Sequence, residues 1–391
     1  MKNLLLTIIF LMPLGCLGEL FLEITKGSED PYRIAISPFD GDVRTSNQLH
    51  NIIRNDLMRT GEFSILDEEL VLPIKIKDDE LIYSDWKLLG MDYLITGSII
   101  KTKNSIDVNY EIYDIYKKKK VRSSKVFGIP NQIRQLAHYT SDGIYESISG
   151  IKGIAATKLL YVNETKNSKS ISAYKLMLAD SDGANEKVLL TSSEPIISPS
   201  WSPDGKKVAY VSFETGIAKV FIQDIASGKR ESVLSKSTQI SSPSWSPDGK
   251  YLSLTLYQDG NAEIYIMRLQ DRTLTRMTNQ FAIDTESSWS PKGNKIIFTS
   301  GRSGSPQIYE LDLRKLNPKA KRISFEGTYN AKASYLPKEE GIIFVHRSDD
   351  GFFHIALKYK KENFIRVLTE AKMDESPSVA PNGNMVIYGI K

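Results

Sequence analysis

The feature that most constrains this chain is a five-residue motif that returns at a fixed interval. WSPDG stands at 201–205 and again at 245–249, WSPKG at 289–293, a degenerate YLPKEEG at 335–341 and VAPNG at 379–383. The spacings are 44, 44, 46 and 44 residues. A repeat of this period marks an array in which each copy is one supersecondary unit packed on its neighbours. Between turns each copy carries two apolar runs rich in β-branched and aromatic residues, such as NKIIFTS at 294–300 and EIYIMRL at 263–269. A third short run, such as SVL at 232–234, closes the unit. Four strands in a period of this size are the signature of a β-propeller blade. Within WSPDG, Pro at the second position and Gly at the fourth of the turn Ser-Pro-Asp-Gly make a tight turn between the first two strands of a blade.

An earlier unit without the motif, running from KLLYV at 158–162 to KVLL at 187–190, brings the expected number of blades to six. The last is cut short, because only NMVIYGIK at 384–391 follows its turn, enough for one strand. Residues 31–150 read differently. Strands are expected at 32–39, 63–66, 93–100 and 105–115, and helices at 45–61, with Leu49, Ile52, Ile53 and Leu57 on one side, and at 131–149. The expected fold is therefore a two-domain α+β/all-β chain: a small N-terminal α/β domain over 31–150, the linker GIKG at 150–153, then a six-bladed β-propeller over 154–391 with an incomplete last blade.

The chain begins with Lys2 and the apolar run LLLTIIFLMPL at 4–14, followed by the small residues GCLG at 15–18. This reads as a secretory signal peptide over 1–18, with cleavage expected after Gly18. The run is too short for a membrane span, which needs about 20 residues, so no membrane insertion is expected. The single cysteine, Cys16, leaves with the signal; the rival reading makes it a lipid-modified N-terminus, since Leu14-Gly15-Cys16 is half of a lipobox. The 51 Lys+Arg against 47 Asp+Glu give a net charge of +4, too slight to point to nucleic acid.

No arrangement of catalytic groups emerges. The four histidines are scattered, and only His346 and His354 share a blade, where strand pairing could bring them together. GRSGS at 301–305 comes nearest to a nucleophile elbow and reads as a hairpin turn. ADSDG at 179–183 and RSDDG at 347–351 lack the further oxygen ligands of a calcium loop and read as turns. The basic run YKKKKVR at 116–122 reads as a solvated hairpin tip, with contact to an anionic envelope surface as the functional alternative. No catalytic residue, metal ligand or cofactor is expected.

Over nearly its whole length the sequence resembles the TolB family, periplasmic components of the Tol-Pal envelope system. The resemblance rests on DYLITGSI at 92–99, the junction GIKGIAATKLLYV at 150–162, WSPDGKKVAYVSFE at 201–214, FTSGRSGSPQIY at 298–309 and DESPSVAPNGNMVIY at 374–388. It implies a non-enzymatic adaptor that links Pal, the peptidoglycan-associated lipoprotein, to the C-terminal domain of TolA, supporting outer-membrane invagination during cell division and outer-membrane integrity. Pal would sit on the residues just before each turn: Ile197 and Ser198, Gln239 and Ser242, Thr285 and Glu286, Ala331 and Lys332, Asp374 and Glu375. TolA would take the flexible segment 19–30, chiefly Glu19, Leu20, Phe21, Leu22, Glu23 and Ile24. A monomer is expected. The alternatives are a propeller-associated hydrolase and a propeller that binds envelope glycan or metal.

Overall fold

The structure, a computed structural model, describes residues 30–390 apart from 75, 78, 79, 167–171, 235–238 and 259. The expected signal peptide and the TolA-directed residues 19–29 lie outside the described residues.

The N-terminal domain is a five-stranded sheet with two long helices on one face. Strands Tyr32–Ile36, Phe63–Ile65 and Tyr93–Lys101 run parallel, with Tyr32–Ile36 in the middle of the three. Ile106–Asp114 and Lys119–Gly128 extend the sheet antiparallel from Tyr93–Lys101. Helix α1 (Val43–Arg59) starts where the Asp42 carboxylate accepts from the Thr45 N–H at 3.0 Å. Its Leu49, Ile53 and Leu57 pack with Leu136 and Ile144 of a later helix, Ile133–Ser149, on Ile34, Ile36, Val108 and Ile112 of the sheet. Burying each such side chain contributes about 1.5–3 kcal/mol, which holds both helices to that face. A short helix, Tyr83–Leu88, was not anticipated; its Trp86 is buried against Leu94 and Ile115 on the other face. The basic run does turn at a hairpin, but Lys119–Gly128 then continues as an edge strand.

The rest of the chain forms radial sheets in sequence order. Four have four strands each, with innermost strands Ile196–Trp201, Ile240–Trp245, Asp284–Trp289 and Tyr329–Tyr335. They follow a three-stranded sheet built from Lys158–Lys166, Ser172–Asp180 and Lys187–Ser192. A two-stranded hairpin, Asp374–Val379 with Val386–Ile390, comes last. The six blades expected from the repeat are thus met as five sheets of three or four strands and one hairpin. A blade needs partners for its strands, and among the described residues the first unit pairs three strands and the last two. Neighbouring sheets bury their faces against each other, as Val211 and Val220 do with Leu254, Leu256 and Met267.

Each turn motif closes its sheet at the same end. The Gly205 N–H donates to the Ser202 carbonyl at 2.9 Å, and Gly205 has φ +67°, where a side chain would be strained. The buried Ser202 hydroxyl accepts from the Lys207 N–H and donates to Asp204; Ser246 repeats this with Tyr251 and Asp248.

The N-terminal domain docks on this turn end of the propeller. Arg134 and His138, on the helix Ile133–Ser149, face Asp180 and Asp182 of the first sheet's turn. Asn382, in the last turn, donates to the Lys152 carbonyl, and Asn384 donates to Glu62 and to the Tyr145 hydroxyl. The opposite end of the inner strands points away from the N-terminal domain.

Candidate functional site at the free end of the propeller

Every inner strand carries the same defect at its free end. The ladder to the next strand slips between Ile197 and Ser200, Ser241 and Ser244, Thr285 and Ser288, Ala331 and Ser334, and Glu375 and Ser378. These are β-bulges, which bend a strand and re-aim its side chains. One residue in each takes a left-handed backbone: Ser198 (φ +53°), Ser242 (+51°), Glu286 (+56°), Lys332 (+51°) and Ser376 (+56°). Each stands three places before Trp201, Trp245, Trp289, Tyr335 or Val379. Non-glycine residues in this region cost roughly 1–2 kcal/mol apiece. In three of the bulges the next residue is proline, Pro199, Pro243 or Pro377, tolerated where a ladder hydrogen bond is already missing.

The bulge side chains knit neighbouring sheets together around the mouth. Glu286 accepts from the Thr299 hydroxyl at 3.0 Å and from the Lys332 N–H at 3.3 Å. The Lys332 ammonium donates to the Ser376 hydroxyl at 2.9 Å, and the Thr255 and Thr285 hydroxyls meet at 3.3 Å. Loops at the same end expose large apolar side chains, among them Phe281 (87% exposed), Phe325 (69%) and Met373 (50%), and the first inner strand exposes Ile197 (40%) beside them. Large apolar side chains exposed together at one end of a fold make that end a candidate interaction face.

The residues singled out from the sequence divide by register. Ser198, Ser242, Glu286 and Lys332 are the left-handed residues, and Ile197, Thr285 and Glu375 flank them at the bulge. Ala331 belongs to the same ring but is buried at 3% exposure. Gln239 precedes the inner strand, out of register, and Asp374 is buried at 1%. Asp374 shares a register with Asp284, a buried carboxylate that pairs with Arg302 and whose burial pushes its pKa up. Ser241 and Ser376 complete the ring and were missed. The recurrent Ser-Pro at 198–199, 242–243 and 376–377 was the available signal, because proline inside a strand points to a bulge.

Among the described residues the rival chemistries find no assembled site. His346 and His354 are direct cross-strand partners, yet each hydrogen-bonds its own neighbour, Asn330 at 2.8 Å and Asp350 at 3.2 Å, and burial lowers the pKa of His346. GRSGS links two strands as a hairpin. At the domain seam Asp56, His138 and Asp182 come within 4.8 Å of one another. Their oxygens are already taken, however: Asp56 accepts from His138, Ser141 and Arg59, and Asp182 from Arg134 and the Ala184 N–H. The cluster is a charge-compensated joint, with the protein's own cations where a metal ion would stand. Among the described residues no helix is long and apolar enough to cross a membrane.

Comparison with known proteins agrees with this architecture. Residues 20–121 match the model of the TolB amino-terminal domain, and residues 145–391 that of the TolB beta propeller domain. The Tol-Pal system protein TolB of Pseudomonas aeruginosa is 46% identical over 374 residues, 95% of this chain and 86% of that protein. Its namesake in Alcanivorax borkumensis is 42% identical over 215 residues, 54% of this chain; the match spans only 49% of that relative's length. The crystal structure of TolB from Acinetobacter baumannii superposes with a TM-score of 0.85 at 38% identity, covering 95% of this chain and 91% of that one. The chain belongs to the TolB family.

Proposed function

We propose that this protein is a non-enzymatic periplasmic adaptor of the Tol-Pal system, in which the free end of the propeller receives Pal and the segment 19–30 engages the TolA C-terminal domain. The observation that carries the Pal half is the ring of left-handed, non-glycine residues at Ser198, Ser242, Glu286, Lys332 and Ser376, surrounded by exposed Phe281 and Phe325. Strain retained where glycine would relieve it indicates that the side chains are needed there. The TolA half rests on the alternating Leu20, Leu22 and Ile24, a pattern suited to strand addition on a partner sheet. The N-terminal domain sits on the turn end and the mouth lies at the other, so a partner at the mouth does not meet that domain.

The test is binding of the 19–391 chain to the soluble domain of Pal by calorimetry. Glu286→Lys with Glu375→Lys should weaken it, and deleting 19–30 should abolish TolA capture while sparing Pal. No binding of Pal by the 19–391 chain would sink the proposal; full TolA capture by the deletion would remove the role of the tail.

A further inference from the structure

The turn end of the propeller also holds a cleft, and the repeat supplies its own control. Between the sheets that begin at Ile196 and Ile240 lies a space of about 650 Å³, within the usual range for small-molecule sites. One gap further on, a 270 Å³ space lies against the corresponding residues Tyr251, Ile266 and Thr275, which stand 44 places after Lys207, Ile222 and Glu231. There the Tyr251 ring lies 6.5 Å from Trp289, and the Trp289 indole donates to the Ser244 carbonyl at 3.2 Å. In the gap after that, Lys295, in the register of Lys207, pairs with Glu310 at 2.8 Å, and Tyr335 donates to the same carboxylate. The first of these gaps is narrowed by an aromatic ring, and in the second an ion pair on one sheet meets Tyr335 from the next.

In the large cleft neither device is present. Lys207 stands where Tyr251 narrows the next gap, and Ile222 occupies the position of Glu310, so the ion pair of the third gap has no counterpart here; the strand partner of Lys207 is Asp224. The buried Trp245 Nε1 has no acceptor among the described residues, and neither has the Arg272 Nη1. Buried donors without acceptors are uncommon, and an oxygen from water or from a ligand would satisfy these two. Arg272 is held at φ +61°, where the preceding sheet has Gly228 at +70°, and its Nη2 reaches across the gap to Glu231 at 2.9 Å. Asp204 and Asp248 line the same cleft, while Trp245, Ile222 and Leu269 provide its apolar surface. Cations and unmatched donors, carboxylates and an apolar floor together describe the two charged ends and the body of a zwitterion.

We infer that this cleft binds a short free peptide, its α-carboxylate at Lys207 and Arg272, its α-ammonium at Asp204 and Asp248, and its side chains on Trp245. The site lies at the opposite end of the inner strands from the proposed Pal face and does not depend on it.

The experiment titrates the 19–391 chain with trialanine, followed by calorimetry and tryptophan fluorescence, alongside N-acetyl-trialanine and trialanine amide. Saturable binding of trialanine is expected at up to millimolar concentrations, weakened about tenfold or more by blocking either terminus. Lys207→Tyr installs the residue of the next gap, so the sheet retains a side chain it already accommodates, and binding should fall by about tenfold or more. Arg272→Gly should raise thermal stability, because it relieves the left-handed arginine, and yet lower peptide affinity; a purely structural arginine would not move the two in opposite directions. Absence of trialanine binding, equal binding of the blocked peptides, or unchanged affinity in Lys207→Tyr would each overturn the assignment.

Discussion

The two ends of the propeller's inner strands are built alike in backbone and oppositely in sequence. Both place one residue per strand in the left-handed region. At the turn end that residue is glycine in four strands, Gly205, Gly249, Gly293 and Gly383, and Glu339 in the fifth. At the bulge end it is never glycine: Ser198, Ser242, Glu286, Lys332 and Ser376. Where only the chain's path matters, the residue that follows it at least cost is used. Where a costlier residue recurs, and differs from strand to strand, the side chain itself is the more economical explanation. The left-handed turn residues are scaffold, and the free end is a surface whose identity lies in its variation.

That contrast can be broken at either end. The largest expected effect is at the turn end: Ser290→Ala leaves the Lys295 N–H without its acceptor at a site with 0% exposure. It should cost about 1–3 kcal/mol of stability in urea unfolding while leaving Pal affinity of the folded protein unchanged. Next come the two kinds of left-handed residue. Replacing either by glycine relieves about 1–2 kcal/mol of strain and adds about 0.5–1 kcal/mol of unfolded-state entropy. Glu339→Gly should therefore raise stability by about 0.5–1 kcal/mol without touching Pal binding, and Ser242→Gly should raise it similarly while weakening Pal binding. Equal binding by both variants would mean that the bulge side chains are scaffold too.

The smallest effect concerns the seam that holds the N-terminal domain at the turn end. Burial favours the neutral form of Asp180, but hydrogen bonds from Lys158, Asn185 and Arg134 outweigh it, and its pKa lies below the usual value; Asp182 is lowered in the same way, through the Ala184 N–H and Arg134. A carboxylate whose folded pKa is depressed stabilises the fold above its unfolded pKa, near 4, and loses that contribution as pH falls below it. Unfolding midpoints should be flat between pH 5 and 7 on this account and drop below about pH 4, with a shallower drop in Asp180→Asn. An identical acid limb in that variant would remove the seam from the explanation.

How much of this was legible in the sequence follows the same division. The 44-residue period, the strands after each glycine and the helix with Leu49, Ile53 and Leu57 could be read because repetition and periodicity are local patterns. The ring position three places before each tryptophan could also be read, since it inherits the register of the turn. Strand-by-strand completeness could not, because it depends on which edges find partners. Nor could the burial of Asp374, which a register offset of one residue from Glu375 decides by turning its side chain to the other face, nor that of Ala331, which shares the ring's register and is still only 3% exposed. Gln239 stands six places before Trp245, outside the three- and four-place positions that share the bulge.

The central claim is that the free end, and not the turn end, receives Pal. Phe281 and Phe325 are 87% and 69% exposed, so Phe281→Asp with Phe325→Asp should leave stability nearly unchanged. Calorimetric titration of this double variant with the soluble domain of Pal is predicted to show affinity reduced by about tenfold or more, about 1.4 kcal/mol. Affinity equal to that of the unmodified chain, measured on protein with an unchanged unfolding midpoint, would contradict the account.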